Sequence, residues 1–143
     1  MKKYVKVVEC AIEHDGKFLI IKRPSGVHAG GLLAFPGGKV EGVDEKAGYD
    51  ILRSAVKREV FEEVGLKLQD DLNYVVSNFF VDSFGTHVID TVFHCKIVKT
   101  KIEISASKSE VASYSWMTRE EVDQAENGSP WMKKYFEYID SQN

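Results

Sequence analysis

The stretch Arg58-Glu59-Val60-Phe61-Glu62-Glu63-Val64-Gly65-Leu66 decides how this chain is interpreted. Successive residues of an α-helix are about 100° apart, so Glu59 and Glu63 would lie one turn apart and Glu62 beside them. Three carboxylates at this spacing repel each other by a few tenths of a kcal/mol per pair. Because Mg²⁺ prefers carboxylate and water oxygens, a hard divalent cation would turn that repulsion into a binding site. The pattern therefore predicts a helix that carries a metal site.

A second informative segment lies upstream. Phe35-Pro36-Gly37-Gly38-Lys39-Val40-Glu41 is typical of a tight turn rich in exposed backbone. Together the two segments resemble the signature of the Nudix hydrolase family. That signature is glycine, five residues, glutamate, seven residues, then Arg-Glu-U-x-Glu-Glu-x-Gly-U, where U is aliphatic. Residues 58–66 match the second half at every fixed position.

The first half of the signature departs from the family pattern. Counting forward from Gly38 puts Asp44 in the glutamate position, and 13 residues (45–57) rather than seven then precede Arg58. We interpret the difference of six residues as an insertion around residues 45–50. The departure weakens any role for the acidic position filled by Asp44, and it leaves the Arg-Glu-x-x-Glu-Glu core intact.

Hydrophobic periodicity and turn residues predict the order of the elements. We expect a helix over residues 51–64, with Asp50 as N-cap and Gly65 at its end, and a short helix that begins at a capping box from Thr118 to Glu121. Residues 39–49 are predicted to be a loop. The remaining predictions are strands at 4–13, 17–22, 32–35, 72–81, 87–98 and 112–117, and a closing helix at 131–139. The resemblance implies an α/β fold, a Nudix-like α/β/α sandwich with a mixed β-sheet, as a single domain over residues 1–143.

Composition agrees with a small enzyme domain. The chain has 143 residues, of which 43% are hydrophobic and 29% charged, and its net charge is -3. That charge provides no broad cationic surface, so we expect no nucleic acid polymer as partner, capped RNA included. Cys10 and Cys95 lie in apolar, strand-like runs and are expected to be buried thiols. We also expect neither a signal peptide nor a membrane span, and a cytoplasmic location.

The resemblance implies roles for the residues of the signature. Glu59, Glu62 and Glu63, with the Gly38 carbonyl, would bind Mg²⁺, or Mn²⁺ in its place. Arg58 would orient these acids as part of the catalytic group, although a plain surface salt bridge is the alternative. For the general base we name Glu110, in the predicted loop over residues 105–111, against the equally reasonable alternative of a solvated acid.

Three residues outside the signature are candidates for substrate binding. Arg23 and Lys39 could contact phosphate. His28, in His28-Ala29-Gly30-Gly31, could contact substrate, although an ordinary loop role is favoured. The aromatic side chains at positions 79, 80 and 84 could stack on a base, and core packing explains them equally well.

The resemblance implies a metal-dependent hydrolase that cleaves a diphosphate linkage in a small-molecule nucleotide. We favour a nucleoside triphosphate pyrophosphohydrolase. The alternatives are an ADP-ribose or nucleotide-sugar diphosphatase, a coenzyme A diphosphatase, and a sensor that binds a nucleotide without cleaving it. The intact acids favour an enzyme. Two copies could form a homodimer through the hairpin edge of residues 4–22.

Overall fold

The structure is a computed structural model and describes residues 2–99 and 101–142. In chain order, the elements within these ranges are β1 (Val5–His14), β2 (Lys17–Lys22), β3 (Leu33–Ala34), β4 (Gly37–Lys39), α1 (Gly42–Glu45), α2 (Ile51–Val64), β5 (Asn73–Val81), β6 (His87–Lys96), β7 (Ser113–Met117), α3 (Arg119–Gln124) and α4 (Met132–Ser141). The predicted bounds of α2 and β2 are confirmed to the residue, and the other predicted strands and helices differ by one or two residues at their ends.

The strands form one mixed sheet. Its order is β3-β2-β1-β6-β5, with β4 beside β1 and β7 beside β2. β1 and β6 run parallel, whereas the other described pairs are antiparallel. The central strands are rich in buried apolar residues because both of their faces are covered.

Alternate residues of the same strand enter two different cores. Leu19 and Ile21 of β2 pack against α2, whose buried apolar residues are Ala55, Val56, Val60 and Val64. Phe18 and Ile20 point to the opposite face, where α3 and α4 contribute Val122, Met132, Tyr135, Phe136 and Ile139. The sheet therefore lies between helices, which confirms the predicted α/β/α sandwich.

Two local predictions were wrong. Residues 39–49 were expected to be a loop, but α1 forms there, begun by a capping box between Glu41 and Asp44. Gly37 and Gly38 were expected in an exposed turn, yet they belong to β4, which pairs with β1. Pairing with a neighbouring strand is a tertiary interaction, so the glycine-rich sequence alone favoured a turn.

The predicted dimer edge is also wrong. β1 has β6 on one side and β2 and β4 on the other, and β2 is flanked by β1, β3 and β7. Neither strand of the hairpin has a free edge for a second copy.

Asp50 does hold the N-cap position of α2, but its side chain caps no backbone N–H and instead accepts a hydrogen bond from Arg53.

Two expectations from composition can be compared with the structure. Cys10 and Cys95 are free and buried, with 3.8 Å between their sulfur atoms, as predicted. Across the described part of the chain, every helix is too short or too polar to span a membrane.

Candidate active site

Helix α2 places the predicted acids at the boundary between the core and solvent. Its apolar residues fill one face, and Glu59 and Glu63 extend that face, where they are 8% and 7% exposed. Glu62 lies outside it, with about half of its side chain exposed. The 3.6-residue period of the helix is the reason why two acids of the run are buried and the third is not.

Glu63 has the most perturbed environment of the three. Burial raises its pKa to about 8, and the negative charges of Glu110 and Glu59 act in the same direction. The Gly37 N–H donates a hydrogen bond to its Oε1 (3.0 Å) and partly offsets that rise. Without a cation, this carboxyl therefore keeps its proton at neutral pH. A nearby positive ion would favour the ionised form.

Arg58 connects the acids to the strand and helix upstream. Its Nε and Nη2 atoms each donate to Asp44, at 2.8 Å, in a two-pronged pair. Its Nη1 atom contacts Glu59 at 2.9 Å and Glu62 at 3.0 Å, and Nη2 also donates to the Lys39 carbonyl. Hydrogen bonds from Arg58 hold the pKa of Asp44 below its usual range. The pairing with Asp44 was not predicted, and its only sequence signal was its place in the glutamate position of the signature.

Gly37 and Gly38 of β4 are glycines because neighbouring atoms approach them too closely for a side chain. Neither has a positive φ. A Cβ on Gly37 would lie 2.1 Å from the Val8 carbonyl oxygen, and a Cβ on Gly38 would lie 2.1 Å from Oε2 of Glu59. Only glycine lets β4 approach β1 and α2 at these distances.

Glu110 lies in the loop that packs against the end of α2. The Ser107 N–H in this loop donates to the Glu63 carbonyl at 2.8 Å, and the Ser105 N–H donates to that of Val64 at 2.8 Å. Glu110 is exposed, and its charge acts on Glu63. The structure therefore places the predicted general base in the electrostatic environment of the helix acids.

A cavity of about 740 Å³ opens beside these acids. Glu63 and Gly38 line it, together with the three predicted substrate-binding residues, Arg23, His28 and Lys39. Its apolar walls include Phe35, Phe80, Phe84 and Trp131. A volume of this size is ordinary for a site that encloses a small molecule.

His28 and Arg23 are held in place by their own loop and its neighbours. The His28 ring stacks on Phe80 with 5.5 Å between ring centroids, and its Nδ1 accepts a hydrogen bond from the Ser83 N–H at 3.1 Å. Arg23 donates through Nε to the His28 carbonyl at 2.8 Å. Of the three candidate aromatic residues, Phe80 and Phe84 line the cavity. Phe79 lies elsewhere, against Tyr4.

Comparison with known proteins identifies the family. The family model described as the NUDIX domain matches residues 3–139. The chain belongs to the Nudix family. The six-residue insertion within the Nudix signature stays a prediction.

Individual Nudix relatives agree with this assignment. The chain is 43% identical to a CTP pyrophosphohydrolase of Escherichia coli (strain K12) over 65 residues, which are 46% of this chain and 44% of that protein. The chain therefore aligns with less than half the length of this curated relative. A MutT protein from Methanosarcina mazei Go1 has a similar structure, with a TM-score of 0.80 and 27% identity, covering 99% of this chain and 96% of that one. The ORF135 protein of E. coli has a TM-score of 0.72 and 28% identity, and the match covers 97% of this chain and 90% of that one. These matches support the predicted class, a Nudix hydrolase acting on phosphoric anhydrides.

The donor set of the Nudix helix suits a divalent cation. Nudix hydrolases generally use divalent metals, and carboxylate oxygens are the donors that hard cations prefer. Burial raises the pKa of both Glu59 and Glu63, and a bound cation would lower both. Among residues 2–99 and 101–142, no three acidic, histidine or cysteine side chains already converge on a common point. Glu59 faces Arg58 and Glu63 faces Gly37, so the carboxylates would have to turn to bind together.

Four polar residues of the Nudix cavity were not predicted as site residues. They are Glu9 of β1, Asn78 of β5, Asp90 of β6 and Tyr135 of α4, and all line the cavity. One signal could have found the two acids, because Glu9 and Asp90 lie within predicted strands that are otherwise rich in apolar residues. A charged residue in a strand covered on both faces needs a partner or a function.

Proposed function

We propose that this Nudix protein hydrolyses a nucleoside triphosphate to the monophosphate and pyrophosphate, with CTP as the first substrate to test. The observation that carries the proposal is the position of Glu63, which lies on the wall of a cavity of about 740 Å³ beside Arg23 and Lys39. One of the acids able to bind a metal, two cations able to bind phosphate and apolar walls therefore meet in one space. The similarity to a CTP pyrophosphohydrolase supports the choice of nucleotide.

Glu59, Glu62 and Glu63, with the Gly38 carbonyl, would hold Mg²⁺ or Mn²⁺. When bound, such a cation neutralises phosphate charge and lowers the pKa of a coordinated water. Arg58 keeps Glu59 and Glu62 in place through its ion pairs and is anchored in turn by Asp44.

The remaining residues bind phosphate and move protons. Arg23 and Lys39 on the cavity wall would bind phosphate oxygens, Arg23 through the planar fork of its guanidinium. Glu110 would take the proton of the attacking water, because it is an exposed carboxylate whose charge acts on Glu63. His28 would support the substrate through its position on the cavity wall next to Phe80.

The decisive experiment measures pyrophosphate release from a panel of nucleotides with Mg²⁺, Mn²⁺ or a chelator. We expect CTP turnover that requires a metal, and a fall of about 10²- to 10³-fold in kcat for Glu63→Gln and Glu62→Gln. Glu120→Gln on α3, an exposed acid away from the cavity, is the matched control and should keep the wild-type rate. If the protein turned over ADP-ribose and no nucleoside triphosphate, the proposed substrate class would be wrong. Tight nucleotide binding without turnover under either metal would identify a sensor and refute the proposal.

A further inference from the structure

One edge of the sheet is formed by β5, and the second half of this strand is open on its outer side. β5 is the last strand in the order β3-β2-β1-β6-β5, so β6 is its one neighbour in the described sheet. The first half is protected. Its pairing with β6 is irregular between Tyr74 and Val76, and the Gln142 side chain donates a hydrogen bond to the Tyr74 carbonyl. Residues 77–81 remain as a regular, open edge.

The hairpin that follows β5 identifies the backbone groups on this edge. The Asp82 N–H donates to the Thr86 carbonyl at 2.9 Å, so these two residues form a hydrogen-bonded pair. Such pairs alternate with non-hydrogen-bonded pairs along an antiparallel ladder. The even-numbered residues of this half of β5 therefore bond to β6, and the N–H and C=O groups of the odd-numbered residues point outward. These are Ser77, Phe79 and Val81. Across residues 2–99 and 101–142, no hydrogen bond reaches their backbone groups.

The side chains of β5 do not protect the open edge either. Edge strands in natural proteins usually carry a charge or a proline that prevents pairing with another chain. Residues 73–81 contain no charged residue and no proline. Phe79 and Val81 are about half exposed, and Tyr4 lies against Phe79 with 6.0 Å between ring centroids. The open edge is therefore apolar and uncharged.

The open segment is complementary to itself when two copies run antiparallel. If Phe79 lies opposite Phe79 of the second copy, Ser77 lies opposite Val81 of that copy, so each of the three outward residues has a hydrogen-bonded partner. Each pair exchanges two N–H···O bonds, which gives about six across the interface. A small side chain then lies beside a larger one, and no like charges face each other. This self-matching is what the interface of a two-fold symmetric dimer requires.

We propose that the chain forms a homodimer in which the β5 edges of two copies pair antiparallel about Phe79 and join two sheets into one. The second copy is the partner that the pattern favours, because the three open residues are placed symmetrically about Phe79. The inference does not rest on the proposed function, since it uses the free edge and its side chains alone.

The dimer would also bring the second copy close to the cavity. Asn78 and Phe80 project from the other face of β5 than Phe79 does, and both line the cavity. In this register, Asn78 of the second copy lies directly opposite Phe80. Side chains of directly opposed residues are neighbours on one face of a sheet. Each copy would therefore place a polar side chain beside the cavity wall of the other.

Sedimentation velocity over a series of protein concentrations tests the dimer. We expect the wild type to reach twice the mass of one chain as the concentration rises. Phe79→Lys should raise the dissociation constant about 30- to 100-fold, because it removes an apolar side chain and places two like charges opposite each other. Phe61→Lys is the matched control, since Phe61 lies on α2 and is 57% exposed against 54% for Phe79. A wild type that stays monomeric at every concentration, or equal weakening by the two variants, would refute the proposal.

Disulfide cross-linking tests the register. The Cα atoms of a hydrogen-bonded antiparallel pair are about 5.5 Å apart, which a disulfide can span. Phe79→Cys should therefore give a covalent dimer with oxidised glutathione. Ser77→Cys is the control, because the two copies of residue 77 would lie about 14 Å apart. The native Cys10 and Cys95 are buried and should not react. Equal cross-linking of the two variants, or none by Phe79→Cys, would overturn the proposed pairing.

Discussion

Two groups of acids lie at or next to the cavity, and their surroundings differ. Glu59 and Glu63 come from one turn of α2, where Glu59 pairs with the Arg58 guanidinium and Glu63 accepts a hydrogen bond from the Gly37 N–H. Glu9 and Asp90 come from different strands, and no ion pair with a basic side chain involves either of them in the part of the chain that the structure describes. In the first group Arg58 pairs with Glu59 and a bound cation would favour the ionised form of Glu63, whereas in the second the Tyr135 hydroxyl donates a hydrogen bond to Asp90. Charge alone therefore does not indicate what a buried acid does.

The difference also separates chemistry from recognition. A cluster that needs a metal can change its coordination during a reaction, as the turned-away carboxylates of Glu59 and Glu63 indicate. Asp90 is instead held by the Tyr135 hydroxyl at 3.1 Å, and a fixed hydrogen-bonding group suits rigid selection of a ligand. The following predictions test whether the two ends of the cavity are as different as this comparison states.

The largest expected effects follow from the two glycines at the metal end. Gly37→Ala would meet the backbone oxygen of Val8, which cannot move away, so we expect a loss of about 3 kcal/mol in the free energy of unfolding. Gly38→Ala would meet the Glu59 carboxylate, which can move, so we expect a smaller loss of stability and a fall of about 100-fold in kcat. Gly42→Ala, with open space around its Cβ, is the control. Urea unfolding and steady-state kinetics separate the two outcomes, and an active Gly38→Ala variant would contradict this role for Glu59.

The metal end should also show a distinctive pH dependence. The pKa of Glu63 is raised from 4.5 to about 8 in the native state, so the native protein holds a proton that the unfolded chain releases. This contribution to stability is complete below pH 4.5 and is lost as the pH rises through 8. With a chelator present, we expect the free energy of unfolding to fall by roughly 2 kcal/mol between pH 6 and 8. Glu63→Gln should flatten the curve, and Mg²⁺ should stabilise the wild type more at pH 8 than at pH 6. An unchanged slope in the variant would assign the effect to another group.

The ion pair of Asp44 with Arg58 is buried, whereas that of Asp140 with Arg119 lies at the surface, so their contributions to stability can be compared. The Asp44 side chain is 3% exposed in its pair with Arg58, whereas that of Asp140 is 51% exposed in its pair with Arg119. Asp44→Asn should cost about 1.5 kcal/mol, reduced from the usual loss for a buried pair because Arg58 keeps other partners. Asp140→Asn should cost less than about 0.5 kcal/mol. Equal losses in thermal unfolding would show that Asp44 does not anchor Arg58.

The smallest effect concerns the recognition end. Tyr135→Phe removes one hydrogen bond to Asp90 and should cost about 1 kcal/mol of stability. Tyr138→Phe on the same helix, where the ring is 42% exposed, should cost much less. Equal losses in urea unfolding of the two variants would show that the hydrogen bond to Asp90 does not stabilise the fold.

The features predicted correctly are those whose cause is local. The period of apolar residues and the terminal glycine placed α2 to the residue, and a continuous apolar run after the Asp15-Gly16 turn placed β2. Such patterns need only the helix or strand itself. By contrast, β4 and α1 depend on distant parts of the chain, since β4 pairs with β1 and α1 contains Asp44, whose buried pair with Arg58 joins it to α2.

The amino-acid sequence by itself determined the family, the sandwich and the row of acids on α2, because neighbours along a helix become neighbours in space through its 3.6-residue period. Only the tertiary structure decided that Gly38 must lack a side chain, that Asp44 anchors Arg58, and that Tyr135 donates a hydrogen bond to Asp90. Those relations join residues from different elements, up to 45 positions apart for Asp90 and Tyr135. No local pattern records such separations, because sheet pairing brings these residues together only after the chain has folded.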